Sequence, residues 1–266
     1  MLRDITLGQY YPVESVIHKL DPRVKITGTF LYIISLFIVR DTVGYIISGL
    51  FLTAMIILSR VPVSFMVRGL KGIMMVLLIT AVFNMFFTPG TEVFTIWRLK
   101  VTQEGLRVGI RMVIRLVMLV MGSSVMTLTT TPSSLTDGLE KVLKPLKRIG
   151  VPVHETAMMI SIALSFIPIL VEEMDKIMKA QSARGASFDS RKLNERVKSM
   201  VPILVPLFVS SFRRAGDLAT AMEARCYHGD EGRTRMKPLC YRKRDAIAYL
   251  VLILYLGAVI TEAVVL

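Results

Sequence analysis

The sequence predicts an all-α integral membrane protein, with about five transmembrane helices and long cytoplasmic helices, from three observations. The 266 residues are 53% hydrophobic and only 20% charged, with a mean hydropathy of +0.58, too apolar for a soluble domain of this size. Apolar runs lie near 24–39, 43–59, 72–88, 109–130 and 246–266, and each is compatible with a spanning helix. The 33 Lys and Arg against 20 Asp and Glu give a formal charge of +13, but between runs this apolar they have no soluble surface from which to grip a nucleic acid. Two cysteines, Cys226 and Cys240, exclude a disulfide framework, and the 17 methionines suit adaptable apolar packing.

Taken in order, residues 1–25 contain Arg3, Asp4, Glu14, Lys19, Asp21, Arg23 and Lys25 without an apolar stretch, so no cleavable signal is expected. The early spans are short. A 17-residue run rises about 25 Å, a little under the ~30 Å hydrocarbon thickness, which calls for close packing or snorkelling of flanking cations. Arg111 and Arg115 fall inside the fourth run, where an unpaired guanidinium is costly, so they are expected to face protein, water or an interface. Lys19, Arg23 and Lys25 precede the first span and Arg60, Arg68 and Lys71 fill the second connection, whereas the first has only Arg40 beside Asp41. This asymmetry places the amino terminus in the cytoplasm. The connection near 89–104, with Pro89, Gly90, Phe94, Ile96, Trp97 and Leu99, reads as an outer loop or small hairpin with Trp97 at the interface.

Four crossings return the chain to the cytoplasm near 131, dividing it into a four-helix membrane region at 1–130, a cytoplasmic region at 131–245 and a last span at 246–266. The middle region carries about 20 basic residues, as a cytoplasmic location favours. Thr131 before Pro132 is a helix start, followed by an apolar face of Leu135, Leu139, Val142, Leu143 and Leu146, with Pro145 as a break. A second helix over about 154–185 begins apolar from Ala157 to Val171. It then carries Glu172 with Lys176 and Asp175 with Lys179 as acid-first pairs, each adding ~0.3 kcal/mol. Pro168 should kink it and Gly185 cap it. A third, over about 195–227, repeats the plan with an apolar Val201–Phe212 stretch, Pro202, Pro206 and an Arg213–Asp217 pair.

Both helices end in Ala-Arg-small: Ala183, Arg184, Gly185 and Ala224, Arg225, Cys226. One reading is structural, a cation complementing the helix dipole beside a small cap. The other is that each Arg is a planar donor fork held between small residues, around which a partner's carboxylate or carbonyl pocket closes. Two similar tips suit two similar partners.

Several chemistries are not indicated. A Gly-rich phosphate loop with its Lys is missing from the sequence, so ATP binding by this chain is not expected. His18, His154 and His228 are scattered, and Cys226, His228 and Cys240 lack a fourth metal ligand. Ser123, Ser124, Ser133 and Ser134 suit packing and capping. Glu262 is expected at the outer interface. A self-contained secondary carrier or channel would need charges around a midplane site, for which only Arg115 offers itself, and a membrane enzyme would need a clustered His, Asp or Cys set.

These residues resemble the T component of energy-coupling factor (ECF) transporters, the EcfT/CbiQ family, over nearly the whole chain. Gly8, Tyr10, Pro12, Ser15, His18, Leu20, Asp21, Pro22, Arg23 and Lys25 are similar to its amino-terminal signature, and Thr130, Thr131, Pro132, Leu135, Leu139, Pro145 and Leu146 to its first coupling helix. The two tips are its most specific feature, with Met222 to Gly229 and Arg233, Thr234 similar to the region of the second. Cys226 stands where the family commonly has glycine, implying a slightly different helix end. The resemblance implies a non-catalytic subunit of an ABC-type importer in the cell membrane. Its two tips would be gripped by two cytoplasmic ATPases, A and A′, which use the ATP, so this chain needs no cofactor or metal of its own. A small membrane S component captures a vitamin or metal ion, and the apolar starts of the long helices would contact it and lipid.

Overall fold

A computed structural model describes residues 10–39, 41–87, 92–96, 99–186, 193–229 and 238–265. Arg3, Asp4, Gly8, Arg40, Pro89, Gly90, Trp97, Arg233 and Thr234, all used in reading the sequence, lie outside them. In chain order the elements are α1 (Pro22–Ile38), α2 (Thr42–Ser59), α3 (Val63–Phe87), β1 (Glu92–Ile96), β2 (Leu99–Thr102), α4 (Gln103–Thr129), α5 (Pro132–Leu143), a 3-10 helix (Lys144–Ile149), α6 (Val153–Ala183), α7 (Leu193–Ala224) and α8 (Lys243–Val265). The five apolar runs fall on α1 to α4 and α8. The outer connection is a hairpin, with Phe94 opposite Val101 and Ile96 opposite Leu99 in antiparallel register.

Helix starts follow side-chain chemistry. Asp21 caps α1 by accepting from the Arg23 N–H at 2.9 Å, with Pro22 in the first turn. Thr102 caps α4 by accepting from Gly105 N–H at 3.1 Å, and Thr131 caps α5 by accepting from Ser134 N–H at 3.3 Å. Pro145 has no N–H to continue α5, which ends at Leu143 and gives way to the 3-10 turn. Pro168 is accommodated within an unbroken α6.

Four described helices are long and apolar enough to cross a membrane, Thr42–Ser59, Gln103–Thr129, Val153–Ala183 and Lys243–Val264. By contacts the chain divides into residues 8–142 with 239–266 and residues 143–238, so α5 belongs with the apolar bundle. There Gly138 meets α1 so closely that a Cβ would come within 2.8 Å of Pro22.

The core of the first unit joins α1, α2, α4 and α8 through Leu36, Val39, Leu52, Met121, Val125 and Val259. Phe51 stacks on Tyr255 at 4.2 Å between centroids, and the Tyr255 hydroxyl is shared by the buried Ser35 and Ser48 at 2.6 and 3.0 Å. A polar group at membrane depth is thus satisfied by protein. Phe30, Leu50, Met75 and Ile253 are more than 60% exposed in mid-helix, the surface of a protein solvated by lipid.

Arg115 does face protein. Its guanidinium donates to the carbonyl of Val39, the C-cap of α1, at 3.0 Å, where the helix dipole favours a cation. At the other end of α1, Lys25 donates to the Thr129 carbonyl of α4 at 2.8 Å. The part of α4 before Arg115 therefore overhangs α1 by about 18 Å, and Arg111 lies on this overhang. Glu262 differs from expectation. It is 8% exposed, not at an open interface, and its carboxylate accepts from the Gly44 N–H at 3.2 Å. The N-cap residue of α2, Asp41, makes no side-chain cap bond, so α8 supplies one from across the bundle. A Cβ on Gly44 would lie 2.6 Å from that carboxylate.

Candidate functional site

The second unit is built on α6 and α7, 31 and 32 residues long. His154 Nε2 and the Tyr227 hydroxyl approach at 3.5 Å, Arg214 meets Glu173 at 3.2 Å, and the Gln181 amide donates to the Pro202 carbonyl at 3.4 Å. Early α6 thus faces the end of α7 and late α6 faces early α7, an antiparallel pair.

The two tips have the same geometry. In α6 the Gly185 N–H donates to Ser182 O at 3.0 Å and the Ala186 N–H to Gln181 O at 3.0 Å. In α7 the Cys226 N–H donates to Glu223 O at 2.9 Å and the Tyr227 N–H to Met222 O at 3.1 Å. Each is a Schellman cap, the Arg being the last half-helical residue and the next residue adopting the left-handed conformation. Gly185 has φ +90° and Cys226 φ +54°. A thiol-bearing residue thus occupies a conformation that favours glycine, and the helix end implied to differ keeps the same hydrogen bonds. The difference is confined to about 1 kcal/mol of backbone strain at Cys226. Ala183, Arg184, Gly185, Ala224, Arg225 and Cys226 are all exposed, and among the described residues neither guanidinium has a hydrogen-bond or ion-pair partner.

Numbering ties the tips to the ion pair between the helices. Glu173 and Arg214 are 41 residues apart, as are Arg184 and Arg225. Each arginine tip lies 11 residues, or about 16 Å, beyond its member of the ion pair. An antiparallel pair with such spacing has an approximate two-fold axis through Glu173–Arg214, with the tips on opposite sides, roughly 30 Å apart along the helices. Positions on the axis face their own equivalents, so like charges there would repel. The sequence sets Glu172 and Glu173 on α6 where α7 has Arg213 and Arg214. The pairs expected along each helix, Glu172 with Lys176, Asp175 with Lys179 and Arg213 with Asp217, do not close among the described residues. Reading for i,i+4 pairs missed the contact between helices, although the 41-residue offset already set acid against base. His228 Nδ1 donates to Cys226 O at 2.7 Å, and among the described residues no group of three His, Cys, Asp or Glu is placed to hold a metal ion.

The amino-terminal signature has a different geometry, entirely within the first unit. The Asp245 carboxylate, 2% exposed, accepts from the Asp21 N–H at 2.8 Å and the Arg242 N–H at 2.7 Å. Arg23 grips Asp21 with two bonds at 2.9 and 3.0 Å, donates to Leu239 O at 3.0 Å and lies 3.9 Å over the Tyr241 ring. Burial raises the pKa of Asp21, but the hydrogen bonds and charge of Arg23 outweigh it and hold the carboxyl below its ordinary range. Lys25 donates to His18 O and Thr129 O at 3.2 and 2.8 Å. His18 donates from Nε2 to Tyr11 O at 3.0 Å and accepts from Ser15 Oγ at Nδ1, at 2.7 Å, a neutral ring. Burial keeps its pKa below 6.5, the bond to Tyr11 partly offsetting this. The signature is a clasp that fastens the starts of α1 and α8 and the end of α4. Asp245, its centre, is an acid in the first turn of α8, and only its bond to Arg242 N–H is local; its bond to Asp21 spans 224 residues.

A lipid-facing bundle and a long antiparallel pair with matched cationic ends define a multi-pass, all-α membrane protein. The chain belongs to the CbiQ family, described as cobalt transport proteins, whose model matches residues 13–236. It is 55% identical over 252 residues to the energy-coupling factor transporter transmembrane protein EcfT of Clostridium kluyveri, covering 94% of this chain and 93% of the relative. Identity is 50% to the EcfT protein of Ruminiclostridium cellulolyticum, over 98% and 97% of the two chains, and 47% to that of Bacillus subtilis, over 92% and 93%.

Proposed function

We propose that the chain is the non-catalytic transmembrane coupling subunit of an ECF-type ABC importer. It links two cytoplasmic ATPases to a small membrane S component that captures a vitamin or metal ion. The observation that carries the reading is the pair of Schellman caps with the same hydrogen bonds, each presenting an exposed guanidinium without a partner among the described residues, on opposite sides of a pseudo-two-fold. Two copies of one ATPase fold have two equivalent grooves, and a symmetric pair of forks engages both with one chemistry. The amino terminus is cytoplasmic, ATP is used by the partners, and the chain binds no cofactor or metal of its own. The apolar starts of the long helices serve the S component and lipid. Met200, Leu204, Phe208 and Phe212 form an i,i+4 stripe on α7, each 45% or more exposed.

Arg184→Glu with Arg225→Glu tests the reading. The double variant should insert and melt as wild type, because neither side chain has a partner in the described chain, while ATPase co-purification falls at least 100-fold and uptake stops. Wild-type recovery of the ATPases with that variant refutes the assignment.

A further inference from the structure

At the end of the bundle where α1 and α8 start and α2 and α4 finish, an apolar cavity of about 210 Å³ runs between these four helices. Gly28, Phe51, Met55, Val125 and Ala248 are among its walls. Its rim residues Val16, Leu58, Ile247 and Val251 are about half exposed, so it opens sideways on the face the bundle turns to its surroundings. A second depression adjoins it, sharing Val16, Leu58 and Arg244, and has charged side chains in its lining: Glu14, Lys19, Arg60 and Arg244. Glu14 is ion-paired with Lys19, and these two charges cancel. Lys25, which borders the cavity, is committed to His18 O and Thr129 O. Arg60 and Arg244 remain, and among the described residues neither guanidinium has a partner.

We infer that this cavity and its mouth bind one anionic glycerophospholipid, an acyl chain in the apolar slot and the headgroup phosphate against Arg60 and Arg244. The mouth lies at the level of the helix ends, where headgroups lie in a bilayer. Two guanidinia with no internal counter-charge suit a phosphodiester that brings no cation of its own. A zwitterionic headgroup would add an ammonium beside two arginines, and a soluble phosphate would leave the slot unfilled. The apolar slot directly beside an uncompensated basic mouth has the two-part chemistry of a lipid.

The test uses the full chain in mild detergent after lipid depletion, with native mass spectrometry and melting temperature as readouts. Phosphatidylglycerol, phosphatidylcholine and water-soluble glycerol phosphate are the added probes. Phosphatidylglycerol should bind one per chain and raise the melting temperature by about 3–5 °C near saturation, the other two much less. Arg60→Ala with Arg244→Ala should weaken it about 25-fold, fivefold for each arginine. Gly28→Leu should abolish binding with both arginines intact. A Cβ at Gly28 meets nothing closer than Leu252 at 3.9 Å, so the larger side chain enters the slot without disturbing backbone. Ala248→Leu plugs it from the opposite wall and covers the case that Gly28→Leu folds poorly. Equal binding of phosphatidylcholine, equal stabilisation by glycerol phosphate, or wild-type binding by the plugged variants each overturns the inference. So does a plug that leaves lipid binding intact but prevents a membrane partner from co-purifying, since the slot would then be that partner's.

Discussion

Arginine has two opposite fates in this molecule, and the contrast between the clasp and the tips shows what a helix-end cation is for. Arg23 lies at a helix start, its guanidinium saturated by Asp21, a backbone carbonyl and the Tyr241 ring. Arg184 and Arg225 lie at helix ends, exposed and without partners in the described chain. The clasp consumes its hydrogen-bonding capacity to fix three helices, whereas among the described residues the guanidinia of the tips use none of theirs. Composition does not separate these roles; burial and partnering do. Substitutions should therefore split cleanly: stability is lost in the clasp and kept at the tips, where the proposed function places the loss in association.

The largest stability effect expected is at the clasp. Asp245→Ala removes a nearly inaccessible carboxylate and leaves the Asp21 and Arg242 N–H groups without their acceptor. Losing two charge-assisted bonds in a buried place should cost about 3 kcal/mol. Thermal unfolding in detergent reads this directly. On the proposed function, ATPase co-purification with whatever fraction stays folded should be unchanged, because the tips lie outside the clasp. A melting temperature within a degree of wild type would show that the clasp carries no load and erase the contrast.

What was legible in the sequence follows the same division. The carboxyl ends of α4, α6 and α7, the Thr131 cap and the Gly185 cap could be read because each depends on residues within a turn of one another. The tips were legible because their motif is contiguous and repeated. The bond of Asp245 to Asp21, that of Glu262 to Gly44 and the Glu173–Arg214 pair were not, since each closes a contact over 41 to 224 residues of sequence that no local period encodes. Glu262 was misplaced for that reason: nearness to the end of the last run suggests an interface, but the vacant start of α2 draws the carboxylate inward. The Glu173–Arg214 contact had a signal after all, in the offset shared with the tips.

That shared offset makes a finer comparison possible, between the two tips themselves. They share hydrogen bonds and differ in the left-handed residue, Gly185 against Cys226. Cys226→Gly should relieve the strain and stabilise the end of α7 by up to about 1 kcal/mol, less the entropy glycine loses on folding. Gly185→Cys should destabilise α6 by a similar amount. Hydrogen exchange of the Tyr227 and Ala186 amides reports each cap separately. Unequal responses would mean that the tips are alike in hydrogen bonding but not in energy.

The smallest effect probes the axis that relates them. Glu173→Arg alone sets a cation against Arg214, and Arg214→Glu alone sets an anion against Glu173; each should cost about 0.5 kcal/mol, because the pair is partly exposed and screened by salt. The double exchange should recover most of that loss, since a two-fold arrangement is indifferent to which helix carries which sign. If the charges acted through the general field of a basic protein, the two single effects would add without recovery. The coupling energy of the four-variant cycle therefore distinguishes a true pairing at the axis from two unrelated surface charges. Salt should shrink it in parallel. A pair this weak contributes little to stability, and its consequence lies in sign: by making the two helices unlike at the one place where they face themselves, it selects antiparallel contact at this register over a slip that sets acid on acid.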